Sequence, residues 1–216
     1  MKKIELMKQF RELYTAKRTV QEVAAERATF LAVNGRGKPG GEQFRNSIEM
    51  LYAIAYTTKF ALKQARILDF KVPRLECLWL VDDPERTPPT DWEWRLLIRI
   101  PDDVTQSHVR EARRILREEK GLDCTRVRRV SWREGRALQV LHVGPYEGLH
   151  QSYTRLQSRA RELGYRVKGP GHEVYLSDPR RTAPERLKTI VRMPVSLPRP
   201  SYARGRSARS RAAVHN

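Results

Sequence analysis

The run Gly171-His172-Glu173-Val174-Tyr175-Leu176-Ser177-Asp178-Pro179-Arg180-Arg181-Thr182-Ala183-Pro184 decides how this chain is read. It opens as a strand, with Val174 and Leu176 alternating against Glu173 and Tyr175. Residues two apart on a strand share a face, so Glu173 and Tyr175 point the same way. Ser177-Asp178-Pro179 then breaks the strand. Asp178 can bond its own backbone there, and Pro179 fixes the bend. A carboxylate, a phenol and the His172 imidazole fall within four residues. If the Glu173 face lines a cavity, that cavity has an acid floor and an aromatic wall.

Outward from this run, strands and helices alternate. Residues 1–24 carry a charged amphipathic pattern with Phe10, Leu13 and Tyr14 on one helical face, which predicts an N-terminal helical arm over residues 1–27. Residues 28–34 read as a buried strand. Gly35, Gly37, Gly40 and Gly41 then mark a loop. That loop lacks the Lys-Ser/Thr pair of a Walker A motif, which excludes nucleotide binding of that kind. Phe44, Ile48, Leu51, Tyr52, Ala55, Tyr56 and Phe60 recur at helical spacing over residues 44–68. Tyr52, Tyr56 and Lys59 share one edge of that helix. Residues 72–81 and 92–100 read as two strands joined by a Pro-rich turn. Glu76 and Trp79 lie an odd number apart, so only one faces the interior without a bulge. Trp92 and Trp94 share a face.

The next helix is capped by Thr105 or Ser107, runs to Lys120 and stops at Gly121. Residues 127–132 and 137–143 read as a hairpin turning at 133–136. A Gly-Pro loop, a helix over 149–163, a strand over 172–177 and a last strand over 187–195 follow. The tail from residue 196 is rich in Ser, Arg, Pro and Ala and reads as a disordered basic segment.

Element order therefore repeats. Residues 28–100 and 137–195 each run strand, helix, strand, strand, and each first strand ends in a glycine loop. Residue identity between the two is slight. Two such units pairing edge to edge give an α+β fold: an antiparallel sheet with helices on one side. The groove between them is a natural ligand site, and Glu76, Trp79, Trp92, Trp94, Glu173 and Tyr175 are expected to converge on it.

Composition sets limits. The formal net charge is +18, from 43 Lys and Arg against 25 Asp and Glu, which raises nucleic acid as a partner. Its placement argues the other way. Arg199, Arg204, Arg206, Arg209 and Arg211 crowd the tail, the rest is dispersed beside acids, and no recognition helix or RNA-binding signature is present. No stretch is apolar enough for a membrane span and no signal-peptide core is visible, so a cytoplasmic protein is expected. Cys77 and Cys124 stand alone, without metal or disulfide spacing. No metal or cofactor is expected. Monomer and homodimer stay open, with exposed edge strands favouring the dimer.

His142-Val143-Gly144-Pro145-Tyr146, followed by the run from His172 to Ile190, resembles the GyrI-like small-molecule-binding family, in particular its stand-alone members. Phe30 to Gly37, Leu51-Tyr52 with Tyr56 and Lys59, Leu75-Glu76 with Leu78-Trp79, and Trp92-Glu93-Trp94 fit the same pattern. The resemblance covers roughly residues 5–195. It implies two strand–helix–strand–strand repeats around a concave pocket. It also implies one of three roles: binding hydrophobic or cationic drugs, relieving gyrase inhibition, or hydrolysing cyclopropane-containing electrophiles. Glu173 matches the family's pocket acid, and Trp79 and Trp94 match wall aromatics. The chain departs from the pattern at Lys38 and Gly40, where Asp and Asn are usual, and at Cys77-Leu78-Trp79-Leu80, which carries one tryptophan fewer. On this footing the catalytic candidates are Glu173, Tyr175 and Tyr146. The ligand-binding candidates are Trp79, Trp94, Glu76, Tyr56 and Lys59. A buried Glu173 has its pKa raised towards neutrality and works as a general acid or base. A non-catalytic drug sensor on the same fold, and a basic protein contacting nucleic acid or DNA gyrase, are the competing readings.

Overall fold

A computed structural model describes residues 3–84 and 86–197. The basic tail beyond Leu197 lies outside the described residues. The first repeat comprises β2 (Ala28–Arg36), α3 (Glu42–Gln64), β3 (Glu76–Trp79) and β4 (Glu93–Ile100). The second comprises β6 (Gly135–Val143), α5 (Leu149–Glu162), β8 (Gly171–Tyr175) and β9 (Lys188–Ser196), with the short β7 (Arg166–Val167) paired to β9. Between the repeats lie α4 (Gln106–Lys120) and β5 (Arg128–Trp132). Thr105, not Ser107, caps α4: its hydroxyl accepts from the His108 N–H, and Gly121 ends the helix at φ 62°.

The strands form one antiparallel sheet in the order β1-β6-β9-β8-β3-β4-β2-β5, where β1 is Gln21–Ala25. The two repeats meet at β3 and β8, in the middle of that order. Their backbone bonds match in pairs. Gly37 N–H donates to Trp92 O at 2.9 Å, and Gly144 N–H donates to Leu187 O at 3.0 Å. Leu80 N–H donates to Glu93 O at 2.8 Å, and Leu176 N–H donates to Lys188 O at 2.9 Å. Carried along the strands, these matches make Cys77 and Glu173 mates. They are also direct neighbours across the β3–β8 ladder, so the pseudo-twofold axis passes between them.

Two expectations fail here. Residues 133–136 do not close a hairpin. β5 pairs with β2, while β6 pairs with β1 and β9. The reason lies in register. Gln21 to Ala25 oppose Gln139 to Gly135, and Ala28 to Ala32 oppose Trp132 to Arg128. That is one continuous antiparallel ladder, bent at residues 26–27 and 133–134, and the two ends of the sheet meet along it. The N-terminal segment is likewise not one helix. It makes two short turns, α1 (Leu6–Gln9) and α2 (Arg11–Tyr14), and then becomes the strand β1, which the partly exposed alternation of Gln21–Ala25 disguises.

Helices α3 and α5 cover one face of the sheet, and α4 packs on α3. The main core lies beneath α3 and α4 and includes Leu51, Ile54, Trp94, Leu96, Ile98 and Leu116. A second core lies beneath α5 and includes Leu138, Val140, Leu156 and Met193. The other face is covered in its second half by the N-terminal turns, where Leu13 and Tyr14 pack on Val174 and Ile190. Both faces of the central strands are therefore buried. That is why the parity of Glu76 and Trp79 produces no exposed residue: each is buried, on opposite faces.

Candidate functional site

Glu173 lies on β8 with its side chain on the helical face, 4% exposed. The Tyr153 hydroxyl, from α5, donates to its Oε1 at 3.0 Å. The Tyr175 hydroxyl donates to its Oε2 at 2.8 Å. Among the described residues no lysine or arginine forms an ion pair with it, although the chain holds 43 of them. Burial pushes the carboxyl above its ordinary value, opposed by Tyr175, the Trp79 indole and Tyr153. The two phenols are driven well above the usual tyrosine range by burial and by Glu173, so they keep their protons and donate.

Rings surround this acid. Tyr146 meets Tyr175 edge to face at 5.7 Å and is 36% exposed, so the cluster runs from Glu173 outward to solvent. On the other side Trp79 stacks parallel to Phe44 at 5.9 Å and meets Trp92 edge-on at 5.6 Å. Cys77 faces Glu173 across the ladder, and burial holds its thiol protonated. Two glycines make room by lacking a side chain. A Cβ on Gly171 would lie 2.7 Å from the Tyr153 hydroxyl, and one on Gly35 would lie 2.1 Å from the Trp94 ring.

The structure thus brings Glu173, Tyr175, Tyr146 and Trp79 together. It does not bring Glu76, Lys59, Tyr56 or Trp94 into the same cluster. Glu76 points from the opposite sheet face, where Tyr14 donates to its Oε1 at 2.7 Å. Lys59, one of the buried residues of α3, is held by Asp69 at 3.3 Å. Tyr56 is an exposed ring between Tyr52 and Phe60. Trp94 is fully buried and donates to Gly37 O at 3.1 Å, behind Phe44. The residue missed was Tyr153. It shares the buried face of α5 with Leu149, Leu156 and Ala160, and a buried phenol needs a hydrogen-bond partner.

His172, one residue from Glu173, belongs to a different cluster. Its Nδ1 faces Glu134 and its Nε2 faces Glu76, each at 3.0 Å. Arg192 donates to Glu134 at 2.9 Å, to Gln139 and to Leu13 O. Burial opposes the imidazolium, but the Glu134 carboxylate and hydrogen bonds to Glu134 and Glu76 outweigh it and lift His172 to about 9. Burial likewise opposes ionisation of Glu134, but His172 and Arg192 bring it down to about 2. Two acids face two cations, all buried.

The tandem of strand–helix–strand–strand units places the chain in a class of small-molecule-binding domain. The model of the GyrI-like small molecule binding domain matches residues 19–196, and the chain belongs to that family. A solved conserved protein of Listeria innocua is 34% identical, with a TM-score of 0.85 over 90% of this chain and 100% of that one. A structure described as a hydrolase from Listeria innocua is 35% identical, with a TM-score of 0.82 over the same shares. The C-terminal domain of EcmrR shares the fold at 12% identity, with a TM-score of 0.53 over 83% of this chain and 96% of that one. No curated protein matches the sequence. No helix among the described residues is long and apolar enough to cross a membrane.

Proposed function

We propose that the chain binds hydrophobic or cationic organic molecules at Glu173 and hydrolyses strained, cyclopropane-bearing electrophiles there, as a detoxifying enzyme of the cytoplasm. One observation carries this reading: Glu173 is buried, held by two phenols and, among the described residues, in no ion pair with a lysine or arginine, in a strongly basic protein. A carboxyl in that setting keeps its proton to higher pH than an exposed one and is suited to general acid–base work. The likeness to a Listeria protein described as a hydrolase supports the same reading.

The chemistry follows from the parts. Glu173 gives its proton to one carbon of the strained ring as the ring bond breaks. Water adds to the carbon left electron-poor, and its proton returns to the Glu173 carboxylate. The net reaction adds one water and regenerates the acid. Trp79 and Tyr146 supply ring faces that favour the developing positive charge. Tyr153 and Tyr175 fix the carboxyl's direction.

A Glu173→Gln variant tests the reading. It keeps the shape and removes the transferable proton. Turnover of a cyclopropane-bearing test compound should fall by about a hundredfold or more. Unchanged turnover would overturn the catalytic role. Saturable binding to the wild type with no turnover would leave a binding protein.

A further inference from the structure

The pseudo-twofold exposes a contrast on the face away from the helices. In the second half, Val23, Leu141 and Ile190 form an apolar patch covered by Met7, Phe10, Leu13 and Tyr14 of the N-terminal segment. Their mates in the first half, by the same strand matching, are Val130, Asn34 and Arg95. That patch is a cavity of about 350 Å³ lined by Ala32, Asn34, Arg95, Arg126, Arg128 and Val130. Its floor continues into the apolar cluster of Phe30, Ala32, Leu78 and Leu97.

Among the described residues, three guanidiniums and no carboxylate line this cavity. None of the ion pairs among the described residues involves Arg95, Arg126 or Arg128. Asn34 orders two of them: Arg95 Nε donates to its side-chain oxygen at 2.7 Å, and Arg126 Nη2 donates to its backbone oxygen at 2.8 Å. Each guanidinium has five N–H donors, so most remain available to an oxyanion. The volume falls within the range of small-ligand sites.

We propose that this cavity is a second ligand site, for an organic oxyanion whose phosphate or carboxylate group sits on Arg95, Arg126 and Arg128 and whose apolar body lies over Ala32 and Val130. It is opposite in charge preference to Glu173 and lies on the other face of the sheet. It does not depend on the hydrolase reading.

Calorimetric titration of the full chain with hexyl phosphate, hexanoate, inorganic phosphate and hexyltrimethylammonium tests it. Hexyl phosphate or hexanoate should saturate one site, at least about tenfold tighter than inorganic phosphate, which lacks the apolar body. Which of the two binds tighter decides between phosphate and carboxylate. The Arg95→Glu, Arg128→Glu double variant should weaken that binding at least about tenfold with an unchanged circular dichroism spectrum. If the double variant does not fold, Arg128→Gln replaces it. Glu173→Gln should leave the binding unchanged. Four results would overturn the proposal: no saturable binding of either organic anion, undiminished binding in the arginine variant, equal affinity for inorganic phosphate, or, in the Glu173→Gln variant, equal affinity for hexyltrimethylammonium. A short DNA duplex that binds through the same arginines while hexyl phosphate does not would likewise overturn it, in favour of a nucleic-acid face.

Discussion

Glu173 and His172 are neighbours in sequence and sit on opposite faces of β8, both buried. On one face, His172, Arg192, Glu134 and Glu76 form a closed set in which every charge has a counter-charge. On the other, Glu173 has two phenols and the Trp79 indole and, among the described residues, no cation in an ion pair with it. The paired set ties the N-terminal segment to the sheet through Arg192 to Leu13 O and Gln139 to Glu12 O, so it serves the fold. The unpaired acid gains nothing for the fold from being ionised. A buried charge without a partner is costly, and such costs concentrate where function needs them.

The contrast breaks most sharply at Arg192. Arg192→Met leaves Glu134 facing His172 alone and strips a donor from Leu13 O and Gln139. We expect a loss of about 3–5 kcal/mol in urea unfolding. Glu173→Gln should behave oppositely. Despite its loss of turnover, its stability at neutral pH should hold or rise by about 1 kcal/mol.

Stability against pH separates the two buried acids, Glu134 and Glu173, by sign. His172 is raised to about 9 from about 6.5. Its contribution is therefore complete below pH 6.5 and fades as pH rises through 9, by about 3 kcal/mol. Glu134 reports the same interaction from the acid side and is not additional: its share is present above its unfolded value of about 4.5 and fades towards pH 2. Glu173 is an acid raised, not lowered. Its contribution is present below about 4.5 and fades as pH rises through its folded value. His172→Gln should flatten the alkaline limb of a denaturation–pH curve, and Glu173→Gln should gain on the wild type as pH rises. The smallest effect concerns the floor itself. Tyr153→Phe removes one donor, at about 1 kcal/mol in transition-state stabilisation, read as a fall in kcat with little change in KM.

Much of the candidate site's geometry was legible in the run from Gly171 to Pro184, because strand alternation fixes which residues share a face. Glu173 and Tyr175 follow from that alone. Glu76 was misplaced because a strand buried on both faces offers no contrast of exposure to tell inside from outside: Cys77 and Trp79 on one face of β3 and Glu76 and Leu78 on the other are all buried. The false hairpin at 133–136 arose because Glu134-Gly135 between two apolar runs is also what a bent, continuous strand looks like. The duplication had a stronger signal than element order. Asp83-Pro84, Arg86-Thr87 and Pro89 recur as Asp178-Pro179, Arg181-Thr182 and Pro184. The two loops end in matching 3-10 turns, Pro89–Asp91 and Pro184–Arg186. Tyr153 stayed hidden because its partner lies on another element, which helical spacing does not report.

The bent ladder between residues 21–32 and 128–139 bears on how the chain is made. Each repeat takes its outermost strand from a segment that precedes the other repeat. While the ribosome has delivered only the first repeat, β1 has no neighbour and β2 lacks one of its two. Those edges wait until residue 139 has emerged. The two repeats, alike as they are, therefore ripen together as one cooperative unit, and the long sequence separation of their shared ladder makes its closure a late step in folding.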